Sequence, residues 1–129
     1  FKFSFFRDPR SMLISMYFFN RHKWHLPPNK EAVIEWLNSF RSEDVYSPYI
    51  FDEKGNVVLD FIGRLEYLDE DLKKVCRRIK IPSPEKIAHI GSQNVKGRLP
   101  YREYYESPVL TKKIKDIFWK SLRVLNYDL

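Results

Sequence analysis

The hydrophobic pattern at the start of the chain predicts a short strand, a tight turn and an amphipathic helix. The run from Lys2 to Phe6 is dominated by Phe, which is typical of a buried strand in a parallel sheet covered on both faces. Asp8 is a suitable N-cap, and Pro9 suits the first helical position, where its missing N–H costs nothing. Beyond Pro9, apolar residues recur at the three- and four-residue spacing of a helix face: Met12, Leu13, Met16, Tyr17 and Phe19.

Two polar residues at this junction are candidate ligands for a phosphate. Arg7 follows the predicted strand, and Ser15 lies beside the apolar stripe of the predicted helix. Ligands of open α/β sheets bind outside the carboxyl ends of the strands, and helix N-termini attract anions. A guanidinium matches phosphate geometry and a hydroxyl adds a neutral donor, so Arg7 and Ser15 could hold one phosphate from two sides. A surface Arg beside a capped helix accounts for the same spacing equally well.

The remainder of the chain alternates between predicted helices and strand-like runs. A helix is predicted over 30–39, capped by Asn29. Segments 49–51 and 57–62 are strand-like and flank Gly55, which predicts a hairpin or a surface excursion that returns to the sheet. A helix with acidic residues at its start and basic residues at its end follows Gly63, and a long final helix begins at Ser107 and Pro108. This pattern predicts the α/β class, with a partial parallel sheet flanked by helices.

The formal net charge of +6 over 129 residues predicts an anionic partner. Nucleotide phosphates, a sulfated or uronic glycan, and nucleic acid all fit this charge. Positive residues concentrate between 73 and 98, although a solvated helix face explains those before Lys80. Lys96-Gly97-Arg98 lies in a predicted loop, where a Gly between two cations lets the backbone curl around an oxyanion. By itself this tripeptide occurs often by chance.

Several segments resemble, in order, those of carbohydrate sulfotransferases that use 3′-phosphoadenylyl sulfate (PAPS). The segment RDPRSMLISMY resembles the 3′-phosphate-binding motif of that family, with Arg7, Pro9, Ser15 and Tyr17 at the motif's positions. DFIGRLE resembles a segment in the middle of the family, and YREYY with the final LNY resembles its C-terminal signature. A second Arg often precedes the Ser in the family, whereas Arg10 lies two residues before that position here.

The resemblance implies a fold and an activity. The fold would be a P-loop-NTPase-like sulfotransferase fold, and the reaction would move a sulfuryl group from PAPS, the co-substrate, to a hydroxyl of a carbohydrate or other acceptor. No metal is expected. The cofactor-binding residues implied are Arg7, Ser15, Lys96, Gly97 and Arg98, with Ser92 a weaker candidate. The catalytic base is left unassigned among His22, His25 and His89.

The family holds the 5′ end of PAPS with a glycine/serine/threonine-rich loop that has no counterpart in this sequence. We therefore expect residues 1–129 to be the C-terminal part of a single sulfotransferase domain, inactive alone, with any membrane anchor upstream. The lone Cys76 cannot form an internal disulfide, which favours the cytoplasm, or a Golgi lumen if the protein is eukaryotic.

Two alternatives remain open at this point. One is a non-catalytic nucleotide- or glycan-binding relative of the sulfotransferases. The other is a basic nucleic-acid-binding module. Most aromatic residues fall on predicted apolar helix faces or in strands, where core packing explains them, and this disfavours nucleic acid as the partner.

Overall fold

A computed structural model describes residues 1–87 and 95–129 and shows a mixed α/β fold. Two strands and six helices are present in these ranges, together with two short 3₁₀ turns. The strands are β1 (Phe3–Phe6) and β2 (Phe61–Arg64), and the 3₁₀ turns are Leu65–Tyr67 and Tyr101–Tyr104. The helices are α1 (Pro9–Asn20), α2 (Lys30–Ser39), α3 (Ser47–Ile50), α4 (Leu68–Ile79), α5 (Pro108–Ile117) and α6 (Trp119–Leu125). The predicted α/β class and the parallel pairing are therefore confirmed.

Strands β1 and β2 are parallel, with Phe3 opposite Phe61 and Phe6 opposite Arg64. Their carboxyl ends therefore meet at one edge, and Arg7 leaves the sheet there. The prediction of a strand buried on both faces is wrong for most of β1. Phe6 is buried, but Phe3 is 41% exposed, because each strand has a single neighbour within the described residues.

Gly63 sets how closely the two strands pack. A Cβ at this position would lie 3.2 Å from the Phe61 ring and closer still to the Phe5 ring. The space that a side chain would fill is therefore taken by the ring of Phe5 from the neighbouring strand. A glycine is needed here because an aromatic side chain crosses above it.

The main core lies where α1, α2 and α5 meet the 3₁₀ turn Tyr101–Tyr104. The residues of this core are Leu13, Ile14, Tyr17, Phe18, Val33, Leu37, Tyr104, Tyr105, Leu110, Ile114 and Phe118. Most of the predicted apolar face of α1 packs into it. Phe19 is the exception, since its side chain is 88% exposed although it belongs to the predicted apolar face.

Helix α4 forms over nearly the residues predicted for it. Val75 and Cys76 of its apolar face are buried, and the helix ends at Lys80, whose φ is +59°. The buried carboxylate of Asp71 accepts hydrogen bonds from the Arg64 backbone N–H and from Lys74 Nζ, each at 2.9 Å. Asp71 therefore ties the end of β2 to the first turn of α4.

Two predicted elements differ in the structure. Residues Ser47–Ile50 form the short helix α3, so the predicted hairpin is reduced to one antiparallel bridge between Phe51 and Val57. The long final helix is divided into α5 and α6 at Phe118, whose φ and ψ are −96° and 15°. No helix within the described ranges has the length and apolar composition needed to cross a membrane.

Candidate anion-binding site

The structure brings Arg7, Ser15 and Arg98 together at the carboxyl edge of the sheet. Arg7 Nη1 donates a hydrogen bond to Ser15 Oγ at 2.5 Å. Arg98 Nη2 donates to the same oxygen at 2.9 Å. Two guanidinium groups, contributed from positions more than ninety residues apart, therefore meet at one hydroxyl.

The backbone at Arg7 and Asp8 is held in place by side chains from distant parts of the chain. The Tyr46 hydroxyl donates to the Arg7 carbonyl at 3.0 Å. Glu66 accepts a hydrogen bond from the Asp8 backbone N–H at 2.8 Å and another from the Tyr127 hydroxyl at 2.6 Å. Asp8 also caps α1 by accepting from the Arg10 backbone N–H at 2.9 Å. The turn that directs Arg7 towards Ser15 is therefore fixed by the fold.

Gly97 shapes the turn that positions Arg98. Its φ is +83°, and a Cβ there would lie 3.0 Å from the Pro28 carbonyl oxygen and 3.1 Å from Pro28 Cβ. Only a glycine both adopts this conformation readily and lets the turn approach Pro28 so closely. The Arg98 backbone N–H closes the turn by donating to the Val95 carbonyl at 3.1 Å. The turn thus carries the Arg98 side chain over α1.

Arg7 and Arg98 bring two positive charges to one hydroxyl. Burial and the neighbouring charge of Arg7 lower the pKa of Arg98 from its usual value. Like charges held at one hydroxyl repel each other, and solvent screens part of that repulsion. An anion bound between the two guanidinium groups would attract both of them and so offset this repulsion.

A groove of about 690 Å³ opens beside this cluster. Its volume lies within the range of small-molecule sites. Among the described residues, its lining includes basic and apolar side chains but no carboxylate: Arg7, Met12, Ser15, Met16, Phe18, Phe19, Asn20, Arg21, His22, Val95 and Arg98. The groove therefore combines a cationic end with an apolar wall formed by α1.

The other candidate residues either lie apart from Arg7, Ser15 and Arg98 or fall outside the described residues. Lys96 is exposed, and the described residues that line the groove do not include it. Ser92 and His89 fall within 88–94, outside the described residues. His22 lines the groove, whereas His25 lies further along the loop between α1 and α2, with a φ of +54°. No group of three or more His, Cys, Asp or Glu side chains suited to a metal forms among the residues described.

Arg10, which lies near the family's second Arg, has a different role. Its guanidinium pairs with Asp8 at 2.7 Å, and both side chains are buried. The Tyr105 hydroxyl donates to the Arg10 carbonyl at 2.9 Å, and the guanidinium carbon lies 5.6 Å from the centre of the Tyr101 ring. Burial opposes the charge, yet the hydrogen bond and the charge of Asp8 outweigh it and raise the pKa of Arg10. Arg10 is thus a buried member of an ion pair.

Sequence reasoning missed the apolar wall of the groove. Met12, Met16 and Phe19 belong to the predicted apolar face of α1, although Ser15 lies three residues from Met12 and four from Phe19. Residues three and four positions apart share one helix face. The presence of Ser15 among them was therefore the available signal that this face borders a polar site.

Searches against protein-family models, curated proteins and solved structures gave no match, so the resemblance to sulfotransferases rests on the sequence motifs alone.

Proposed function

We propose that Arg7, Ser15 and Arg98 bind the 3′-phosphate of PAPS, and that this chain is the 3′-phosphate-binding part of a carbohydrate sulfotransferase. The P-loop-NTPase-like fold of that family belongs to the same proposal. The supporting observation is the meeting of two guanidinium groups at one hydroxyl, in a groove whose described lining includes no carboxylate. The order of the family-like segments along the chain supports the choice of PAPS.

The chemistry of the cluster suits a phosphate monoester. Such a group carries about −1.5 to −2 charges at pH 7 and three acceptor oxygens. Two guanidinium groups balance this charge and offer planar pairs of donors, while the Ser15 hydroxyl adds a neutral donor. A phosphate diester has one negative charge and two free oxygens, so the cluster should prefer the terminal monoester.

In the proposed reaction, this part of the protein positions the nucleotide. Sulfuryl transfer to a sugar hydroxyl is an in-line displacement, which depends on alignment of the donor and acceptor. A fixed 3′-phosphate determines where the rest of the nucleotide lies. The base that accepts the proton of the acceptor hydroxyl is not assigned.

Titration calorimetry with adenosine 3′,5′-bisphosphate and adenosine 5′-phosphate tests the proposal. The bisphosphate should bind at least about tenfold more tightly, since a charge-assisted hydrogen bond contributes roughly 1.5–3 kcal/mol. Arg7→Ala should remove this preference. Arg123→Ala, which removes the same charge from an exposed position on α6, should preserve it. Equal affinities for the two nucleotides, or equal effects of the two variants, would contradict the proposal.

The same variants separate this function from nucleic-acid binding. Binding of a single-stranded oligonucleotide through general charge should fall steeply with salt and should weaken similarly in both variants. We expect only that weak, unselective binding. Tight oligonucleotide binding together with no preference for the bisphosphate would favour the nucleic-acid-binding module. A sulfate-transfer assay on the 129-residue chain should show no turnover.

A further inference from the structure

Phe19 combines high exposure with a place in the groove. It is 88% exposed, compared with 76% for Val109 and 69% for Tyr49. Single exposed apolar residues are common at protein surfaces and usually need no explanation. Phe19 differs because its side chain lines the same groove as Arg7, Ser15 and Arg98.

The neighbouring Phe18 shows that α1 presents its two adjacent aromatic residues differently. Phe18 is 5% exposed and lies in the core, with its ring centre 5.4 Å from that of Tyr17 and 6.4 Å from that of Tyr104. No ring of the described residues stacks on Phe19. One face of the Phe19 ring is therefore available to a ligand that enters the groove.

The spacing between Phe19 and Ser15 suits a nucleoside phosphate. Residues four apart on a helix have Cβ atoms about 5–6 Å apart. In a nucleoside 3′-phosphate, one ribose carries both the phosphate and the base, so the two groups can reach neighbouring subsites. Met16, on the same face of α1, also lines the groove and would contact the ribose or the base edge.

We propose that Phe19 is the stacking platform for the nucleobase, so that the groove selects nucleoside 3′-phosphates over other phosphate monoesters. This inference rests on the proposed function, because the phosphate at Arg7, Ser15 and Arg98 sets where the base lies. Stacking of a base on an aromatic side chain strengthens binding by about 5- to 150-fold. Stacking on Phe19 should therefore raise the affinity for a nucleotide, relative to that for free phosphate, by a factor of that size.

Calorimetric titration of wild type, Phe19→Ala and Phe19→Trp with adenosine 3′,5′-bisphosphate and with inorganic phosphate tests this inference. Phe19→Ala should weaken bisphosphate binding by about 5- to 150-fold and should leave phosphate binding unchanged. Phe19→Trp should retain the affinity for the bisphosphate, since indole also stacks on bases. Tyr49→Ala is the control, because it removes an exposed ring outside the groove and should change neither affinity.

The outcomes distinguish this inference from the proposed function. If Phe19→Ala behaves like Tyr49→Ala while Arg7→Ala still weakens both ligands, the phosphate site stands and the stacking role is wrong. If Arg7→Ala changes neither affinity, both proposals are wrong. Equal losses of bisphosphate and phosphate binding in Phe19→Ala would also overturn the inference, because they would show a general effect on the cluster.

Discussion

Arg10 is buried in the first turn of α1 and Arg98 is half-buried above Ser15 in the same helix, yet their surroundings differ. Arg10 is paired with the buried carboxylate of Asp8, and this pairing raises its pKa. Arg98 shares the Ser15 hydroxyl with Arg7, and burial together with the Arg7 charge lowers its pKa. One arginine has its counter-charge within the fold, whereas the other lies next to a second cation.

This contrast indicates which arginine serves the fold and which serves a ligand. The buried Asp8–Arg10 pair also bonds to the Asp128 carbonyl and the Tyr101 hydroxyl, and breaking it leaves an uncompensated charge. Two cations at one hydroxyl reduce stability unless an anion is bound. Like charges held close together in this way are typical of functional sites. Substitutions at the two arginines test this division of roles.

The largest effect is expected at Arg10. Arg10→Met should lower the free energy of unfolding by about 3–5 kcal/mol, because the Asp8 carboxylate would remain buried without its partner. Urea denaturation measures the loss. Arg98→Met serves as the matched variant and should change stability by less than about 1 kcal/mol. Similar losses in the two variants would contradict the contrast.

The next effect concerns ligand affinity. Arg98→Ala should weaken the binding of adenosine 3′,5′-bisphosphate by about 10- to 100-fold, through loss of a charge-assisted hydrogen bond. Its melting temperature without ligand should be unchanged or higher, because a repulsion is removed. Arg98→Lys should recover only part of the affinity, since an ammonium lacks the planar fork. Calorimetry and thermal unfolding of the same samples check both results.

A paired carboxylate should make stability sensitive to acid. Burial tends to raise the pKa of Asp71, but hydrogen bonds from Lys74 and the Arg64 backbone outweigh it and lower that pKa from 3.8. Its stabilising contribution is therefore full above about pH 4–5 and is lost as pH falls through the lowered folded-state pKa. Asp71→Asn should lower the free energy of unfolding by about 1–2 kcal/mol at pH 7. Below about pH 4, the free energy of unfolding of this variant should depend less on pH than that of the wild type. If this variant loses stability in acid as steeply as the wild type, Asp71 is not the group responsible.

Ligand binding should follow a different pH dependence. Arginines keep their charge across the accessible range, whereas the second pKa of a phosphate monoester lies near about 6. Affinity for the bisphosphate should therefore fall a few-fold between about pH 7 and pH 5, as the dianion takes up a proton. Titrations at several pH values measure this change. An affinity independent of pH would indicate that the monoanion binds equally well.

The smallest effect is expected at Lys96. Its side chain is exposed, and the described groove lining does not include it. A surface charge acts through solvent and is screened within about 8–10 Å at physiological salt. Lys96→Ala should therefore reduce bisphosphate affinity by less than about threefold, and the reduction should disappear at high salt. A loss as large as that of Arg98→Ala would show direct contact with the ligand.

Local signals predicted much of the fold. Asp8 and Pro9 mark the start of α1, and the acidic and basic ends of α4 agree with its boundaries. The sequence has neither a Gly nor a Pro near Phe118 that would predict the division of the final helix into α5 and α6. In 49–51, the aromatic and β-branched residues favour a strand, while Pro48 at the start of α3 is the overlooked helix signal.

The site was partly predictable for similar reasons. Arg7 and Ser15 are close in sequence, and their approach follows from a strand, a turn and a helix. Arg98 was named from its motif, but its approach to Ser15 depends on Gly97 packing against Pro28. A contact between segments so distant in sequence has no local signal. The exposure of Phe19 likewise depends on which elements surround α1.

The most direct test of the account is a double-mutant cycle for adenosine 3′,5′-bisphosphate binding with Arg7→Ala, Arg98→Ala and the double variant. If both guanidinium groups bind one phosphate, the effects should be strongly non-additive, with a coupling of about 1–3 kcal/mol between the two positions. Effects that add to within about 0.5 kcal/mol would contradict the claim that the two arginines share a ligand.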